Sequence, residues 1–136
     1  MMVQIKICGI NEPKIAQFCI NKEIDRIGIV VGAPNSPRHV KKKKKKKILN
    51  MIGGGIKTVL VTKHLNPEFV NMVTELQPDY AQFHKGIDLN FLTNFRERYD
   101  GALVFGISQN TPDPDLEIIG ETIKPIDEIL IDGSLG

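Results

Sequence analysis

The sequence lacks the cysteine content of a disulfide-rich protein and the apolar segments of a membrane protein. Its two cysteines, Cys8 and Cys19, are too few for a disulfide framework and do not have the spacing of metal ligands. The longest apolar run, residues 27–33, is too short to cross a bilayer. No basic region leads into an apolar stretch and a cleavage site at the N-terminus. We therefore expect a cytoplasmic protein with reduced thiols.

The chain has no tryptophan and only 6% aromatic residues, and its basic charge is concentrated in one run. Lys41–Lys47 supplies seven of the 18 basic residues, which leaves 11 against 16 acidic residues elsewhere. This distribution argues against a broad nucleic-acid surface, and no aromatic side chains interleave the run for base stacking. We interpret the run as a solvated face. Binding of phosphates or of an acidic surface is the alternative interpretation.

The length and the distribution of apolar residues predict one globular domain over residues 1–136. The chain has 41% hydrophobic and 25% charged residues, which is close to the globular average, and its length is sufficient for a buried core. Apolar, β-branched segments recur at similar intervals and predict strands. The six predicted strands are residues 3–8, 26–31, 58–61, 80–84, 103–107 and 129–132.

Helical patterns with start signals fall between the predicted strands. The signals are Asn11 with Pro13, Asn66 with Pro67, Asp88, and Asp113 or Asp115. Such residues accept hydrogen bonds from the first helical amides, and proline fits the first turn. Residues 40–51 predict the weakest helix, because consecutive lysines repel one another. The alternation of strands and helices predicts an α/β fold with a parallel sheet.

Chemically useful side chains gather at the ends of the predicted strands. They are Cys8 after the first strand, Arg38 in the loop after the second, His84 at the end of the fourth and Asp132 at the end of the sixth. Functional groups of parallel α/β folds collect just beyond the carboxyl ends of the strands. Because side chains alternate along a strand, Lys6 is predicted to share a face with Cys8. A nearby ammonium favours the thiolate, which makes a cysteine a usable base or nucleophile.

Each candidate also has a purely structural interpretation. Cys8 would be a small buried hydrophobe, Arg38 would pair with an acidic neighbour, and His84 would hydrogen-bond a carbonyl. Asp132 would bond the amides of the following turn. We assign Cys19 to the core of the first helix, and we expect His39 and His64 to face solvent.

Four motifs in order resemble phosphoribosylanthranilate isomerase, an enzyme of tryptophan biosynthesis. They are KICGI at 6–10, SPRHV at 36–40, DYAQFHKG at 79–86 and LIDG at 130–133. The resemblance implies an eight-stranded (β/α) barrel of the TIM-barrel type. It also implies an Amadori rearrangement of N-(5-phosphoribosyl)anthranilate to 1-(2-carboxyphenylamino)-1-deoxyribulose 5-phosphate. Neither a metal nor an organic cofactor is implied.

The resemblance also implies a role for each candidate residue. Cys8 would be the general base that removes the C2 proton of the sugar, and Asp132 would be the general acid that protonates the ring oxygen. Arg38 would hold the carboxylate of the substrate, as a planar guanidinium can. His84 would line the substrate pocket, and Lys6 would lie beneath Cys8 within the substrate-binding set.

The sequence ends at Gly136, whereas the family continues for two further βα units that carry its phosphate-binding loops. We therefore expect an incomplete barrel of about six strands, truncated at its C-terminus relative to the family. Its first and sixth strands would present open edges. A second copy or a complementing chain would cover those edges. The alternatives are a catalytically inert homologue that acts as an assembly module, and a binder of acidic surfaces that works through the lysine run.

Overall fold

The computed structural model of the chain describes residues 2–32, 41–52, 55–121 and 125–133. Strands and helices alternate along these residues. They are β1 (Lys6–Cys8), α1 (Pro13–Asn21), β2 (Arg26–Val30), α2 (Lys42–Met51), β3 (Lys57–His64), α3 (Pro67–Leu76), β4 (Tyr80–Lys85), α4 (Leu89–Arg98), β5 (Ala102–Ile107), α5 (Asp113–Glu121) and β6 (Glu128–Ile131).

The strands form one six-stranded sheet in which the spatial order follows the chain order, β1 to β6. Neighbouring strands pair in parallel, as in the β1–β2, β2–β3, β4–β5 and β5–β6 registers. Parallel neighbours joined by helices are the product of repeated βα crossovers. The predicted α/β class is therefore confirmed, and β1 and β6 lie at the two edges of the described sheet.

The chain divides into two compact units, Met1–Val61 and Thr62–Gly136, so the boundary lies within β3. The single domain over residues 1–136 stays a prediction. None of the described helices is long and apolar enough to cross a membrane.

The core of the first unit is aliphatic. Ile27 and Ile29 of β2 are fully buried, and Ala16 and Cys19 of α1 pack into the same core. The core assignment of Cys19 is confirmed, and burial raises the pKa of its thiol. A buried thiol behaves as a small hydrophobe, so Cys19 contributes packing rather than chemistry.

The start of α1 differs from the prediction. The residue before the helix is Glu12, its side chain makes no capping hydrogen bond, and Pro13 occupies the first turn. Pro13 lies in the first turn as predicted, whereas the residue at the helix boundary is Glu12 rather than Asn11. The helix therefore begins one residue later than a cap by Asn11 would require.

The lysine run forms a regular helix, α2, in spite of its charge. Lys45 is only 4% exposed and Ile48 is fully buried, whereas the other lysines of Lys41–Lys47 are exposed. Lys44 Nζ lies 2.6 Å from Glu12 Oε1, which links α2 to the start of α1. The solvated-face interpretation holds for every lysine of the run except Lys45. Binding of an acidic surface stays a prediction.

The first strand is shorter than predicted, because residues 3–5 do not enter the ladder. The backbone amide of Ile5 donates to Asp25 Oδ2 at 2.7 Å, so a side chain replaces a strand partner at this point. Val3 and Ile5 are 84% and 51% exposed. An edge strand with a partner on only one side loses its ladder early, and the ladder of β1 begins at Lys6.

Two helices of the second unit begin as predicted. Asn66 Oδ1 accepts a hydrogen bond from the Phe69 amide at 2.9 Å, and Asp88 Oδ1 accepts one from the Phe91 amide at 2.9 Å. A helix starts with amides that have no partner in the helix, and these side chains satisfy one each. The two predicted caps are confirmed.

The core of the second unit is aromatic. Phe83 of β4 and Phe105 of β5 have ring centroids 5.7 Å apart. Phe95 stacks on Tyr99 at 5.6 Å, and the Tyr99 hydroxyl donates to the carbonyl of Pro78 at 2.6 Å. Aromatic pairs stabilise a core beyond the area that they bury.

Candidate active site

The first candidate, Cys8, is an exposed thiol at the carboxyl end of β1. Its buried-hydrophobe interpretation is therefore wrong, and Cys19 shows the contrast because it is 1% exposed. Directly after Cys8 the chain turns at Gly9, which has a φ of 84° that favours glycine. The amides of Gly9 and Ile10 both donate to the carbonyl of Gly28, at 3.0 and 2.9 Å. These bonds fix the backbone next to the thiol.

Lys6 lies two residues before Cys8 on the same strand. The register pairs Lys6 with Arg26 and Cys8 with Gly28. Since side chains alternate along a strand, Lys6 and Cys8 point to the same face, and Lys6 is half-buried. A position of the Lys6 ammonium next to the thiol stays a prediction.

His84 lies near the carboxyl end of β4 with a half-buried side chain. Its Nε2 is 3.0 Å from Nε2 of Gln82, which is 4% exposed. The two groups are within hydrogen-bond distance, and the tautomer of the imidazole decides which of them donates. Gln82 thus orients the ring.

Lys85, directly after His84, is the last residue of β4. Gly86 follows with a φ of 84°, and its amide donates to Asp115 Oδ2 at 3.3 Å. Asp115 is 8% exposed, so a buried carboxylate of α5 holds the turn that leaves β4. The sequence marked Asp115 only as a possible helix start, because this contact joins residues 29 positions apart.

Asp132 follows directly after β6 and is half-buried. Its amide donates to the carbonyl of Ile107 at 2.8 Å, which continues the β5–β6 pairing by one residue. The next residue is Gly133, where an added Cβ would meet nothing within 4 Å. Asp132 is therefore the last residue of the described chain that pairs with β5.

Arg38, the fifth candidate, lies outside the described residues, as does His39. Lys6 and Cys8 belong to the first unit, whereas His84 and Asp132 belong to the second. His64 is exposed, as predicted. Within the described ranges no three His, Cys, Asp or Glu side chains are grouped as metal ligands.

An open groove of about 510 Å³ lies beside the loops that follow β3 and β4 in the second unit, with Asn66, Gly86 and Asp88 in its lining. The carboxamide of Asn66 and the carboxylate of Asp88 already accept helix amides. Both side chains at the groove therefore serve as helix caps.

The fold defines the class of protein. Six parallel strands with intervening helices form an incomplete (β/α) barrel of the TIM-barrel type, as the sequence predicted. The phosphoribosyl anthranilate isomerase of Thermotoga maritima superposes with a TM-score of 0.76 at 20% identity, over 99% of this chain and 64% of that chain. A phosphoribosyl anthranilate isomerase in complex with reduced 1-(o-carboxyphenylamino)-1-deoxyribulose 5-phosphate superposes with a TM-score of 0.72 at 18% identity, over 98% and 77% of the two chains.

Curated relatives carry the same name. The N-(5'-phosphoribosyl)anthranilate isomerase of Aquifex aeolicus is 34% identical over 89 residues, which are 65% of this chain and 43% of the relative. That of Afipia carboxidovorans is 25% identical over 133 residues, 97% and 56% of the two chains. No family model matches the chain. The predicted resemblance is confirmed, and the chain spans about half the length of the curated relatives it matches.

Proposed function

We propose that this chain carries the acid and base groups of a phosphoribosylanthranilate isomerase, acting in the cytoplasm in tryptophan biosynthesis. The observation that carries the proposal is the exposed Cys8 at the end of β1 in a chain of which 97% aligns with a relative of that name. An exposed thiol after a barrel strand is placed where such folds do chemistry. Substrate and partners are part of the proposal, because the chain spans only part of those relatives.

The reaction needs one proton delivered and another removed. Asp132 donates a proton to the ring oxygen, the C1–O bond breaks, and the amine nitrogen supplies the electron pair that forms a C1–N double bond. The Cys8 thiolate then removes the proton from C2, the C–H electron pair forms the C1–C2 double bond, and the π pair of the C1–N double bond returns to the nitrogen. Protonation at C1 and loss of the hydroxyl proton at C2 give the ketose. The product is an isomer of the substrate, so no oxidant or cofactor enters.

The remaining candidates bind the substrate. Arg38 pairs with the anthranilate carboxylate, because a guanidinium fits a carboxylate in a bidentate manner. His84, held by Gln82, lines the pocket. Lys6 lies on the same face of β1 as Cys8 and completes the substrate-binding set. The phosphate is bound by the two βα units that the relatives have in addition, since barrels of this type bind phosphate after strands seven and eight.

Exposed apolar residues in each unit favour a partner. Ile5 and Phe18 in the first unit are 51% and 56% exposed, and Ile131 at the end of β6 is 76% exposed. A polypeptide that supplies two βα units would pair with β1 and β6 and cover such residues. The same exposure favours the second candidate function, an inert module that assembles through its edges. Sedimentation distinguishes them, because self-assembly without added polypeptide supports the second.

The test measures isomerisation in D2O with a polypeptide that carries the last two βα units of a matched relative. NMR detects one solvent deuterium at C1 of the product, which reports removal of the C2 proton and reprotonation at C1. Cys8→Ala should lower kcat about 10²–10⁴-fold, the usual contribution of a general base. Cys19→Ala is the matched control because that thiol is buried, and it should keep the activity. A complemented wild-type chain no faster than Cys8→Ala contradicts the proposal.

A further inference from the structure

Two glycines stand beside two of the candidate site residues, at matching places in the two units. In the β1–β2 register Cys8 pairs with Gly28. The β4–β5 register pairs Phe83 with Phe105, so the next residue, His84, lies opposite Gly106. Parallel strands present paired residues on one face. Each candidate therefore faces a position without a side chain.

At Gly28 the missing side chain leaves the space that the thiol occupies. A Cβ there would lie 2.8 Å from Sγ of Cys8 and 3.2 Å from its Cα. These separations are shorter than van der Waals contact. Gly28 does not have the positive φ that favours glycine, unlike Gly9 and Gly32 among the described residues. Its backbone does not require glycine, whereas the position of the thiol does.

At Gly106 the missing side chain leaves the space that the imidazole of His84 occupies, and the approach is closer than at Gly28. A Cβ there would overlap Cε1 and Nδ1 of His84 and would lie 3.0 Å from Nε2. The imidazole thus lies across the backbone of β5, while its Nε2 meets Gln82. Gly106 is also absent from the described positions with positive φ. An alanine at this position would require the ring to move away from Gln82.

We propose that Gly28 and Gly106 are positioning residues, each of which holds a site side chain by leaving space for it on the neighbouring strand. For catalysis the inference rests on the proposed function, because it matters only where Cys8 and His84 act on a substrate. A displacement of about 1 Å at a reacting group can cost on the order of 100-fold in rate. We expect a loss of that size in the isomerisation rate for Gly28→Ala.

The first test follows the thiol without substrate. The rate of Cys8 alkylation by iodoacetamide is measured against pH in a Cys19→Ala background, where Cys8 is the remaining thiol. Gly28→Ala should change the rate by several-fold or shift its pH midpoint, because the sulfur must leave its place. Gly55→Ala is the control, since a Cβ there would meet nothing within 4 Å. A folded Gly28→Ala with the profile of the control overturns the inference for Cys8.

The second test follows the imidazole by NMR. Gly106→Ala should shift the Cε1–H resonance of His84 and its titration midpoint, whereas the exposed His64 serves as the internal reference. Gly120→Ala is the control because its Cβ would also meet nothing within 4 Å. Unchanged His84 signals in a folded Gly106→Ala overturn the inference for His84.

A double substitution keeps the test valid if Gly106→Ala does not fold. In the His84→Ala background the overlap is removed, so adding Gly106→Ala should leave the urea midpoint unchanged. Failure to fold in that background too overturns the inference. Because neither the alkylation nor the NMR readout needs a substrate, these readouts can move in a chain without isomerase activity. That result supports the positioning role and contradicts only the proposed function.

Discussion

The two units of the chain reach stability by different means. The second unit has an aromatic core and two helices whose first amides are capped by side chains. The first unit has an aliphatic core, a first helix without a side-chain cap, and a second helix built largely from lysines. Its single Phe, Tyr or Trp residue, Phe18, is 56% exposed. The same strand–helix repeat is thus supported by helix caps and aromatic packing in one unit and by aliphatic packing in the other.

The strands that carry the candidate site residues also differ between the two units. Cys8 is carried by a strand of three residues, whereas His84 is carried by a strand of six residues that packs through Phe83 into the aromatic core. Interactions of a short edge strand are easily lost, since it has a partner on one side only. We infer that the unit which holds the proposed base depends more on completion of the barrel than the unit which holds His84.

The largest expected effect tests the aromatic core. Phe105 is fully buried, and its ring contacts Phe83 at 5.7 Å between centroids. Phe105→Ala should lower the free energy of unfolding by about 3–5 kcal/mol, because it removes buried area and leaves a cavity. Urea denaturation, combined with amide exchange over residues 62–133, measures the loss and locates it.

Phe18→Ala provides the matched control in the first unit. More than half of this ring is exposed, so the substitution should change the free energy of unfolding by only about 0.5 kcal/mol. A loss as large as that for Phe105→Ala would contradict the exposure of Phe18. It would show that another chain covers α1 in solution.

The next effect concerns the Tyr99 hydroxyl, which donates to the buried carbonyl of Pro78 at 2.6 Å. Tyr99→Phe leaves that carbonyl without this donor and should cost about 1–3 kcal/mol. Burial, and then the nearby Asp79 charge, raise the pKa of Tyr99 above its ordinary value of 10.0. The contribution of the neutral hydroxyl to the free energy of unfolding is therefore fully present below pH 10 and falls as the pH rises further.

Denaturation between pH 8 and pH 11 measures this dependence. Wild-type protein should lose stability above pH 10 more steeply than Tyr99→Phe. Tyr80→Phe removes the other tyrosine of the chain but keeps the hydrogen bond from Tyr99 to Pro78, so it should retain more of the slope than Tyr99→Phe does. Equal slopes for wild type and Tyr99→Phe would contradict the assignment.

Smaller effects follow from the helix caps. Asn66→Ala and Asp88→Ala should each lower the free energy of unfolding by about 1 kcal/mol, since each leaves a helix amide without its acceptor. Glu12→Ala is the comparison in the first unit, where the side chain makes no cap. It loses only a half-exposed ion pair with Lys44, which contributes at most about 1 kcal/mol and less in salt. A salt-independent loss for Glu12→Ala would contradict this difference between the units.

The caps of the second unit could be predicted from the sequence because a cap is a local relation, made within three residues. The length of β1 could not be predicted from the sequence, because it depends on which backbone groups find a hydrogen-bond partner at the sheet edge. The amide of Ile5 bonds the carboxylate of Asp25 instead. The sequence also marked the start of α1 one residue early, because the helix boundary lies at Glu12 rather than at Asn11.

The candidate site could be predicted where its residues stand at the ends of strands, because strand ends can be located in the sequence. Cys8, His84 and Asp132 were identified because each stands at the end of an apolar segment. Gly28 and Gly106 were not, because their relation to Cys8 and His84 is set by the register between strands. A sequence indicates alternation along one strand but does not fix which residue of the next strand lies opposite. Asp115 was missed as an anchor of the β4 turn for the same reason.

The smallest expected effect concerns Lys45 of α2, the buried lysine of the first unit. Burial, and then the charge of Lys42, lower the pKa of Lys45 below its ordinary value of 10.5. Between the lowered pKa and pH 10.5 the unfolded chain binds more protons than the folded one. The free energy of unfolding therefore rises with pH through that interval. This change of the free energy of unfolding with pH has the opposite sign to the change that Tyr99 causes in the second unit.

Lys45→Met should remove this rise, because the apolar side chain fills similar space without a charge, whereas Lys43→Met should preserve it because Lys43 is exposed. Urea denaturation of the three proteins between pH 8 and pH 10 gives the slopes. If Lys45→Met keeps the wild-type slope, then Lys45 reaches water in solution and the whole run is a solvated face. If it removes the slope, the first unit holds a charge at neutral pH that its core disfavours, and this is a further reason why it depends on its neighbours.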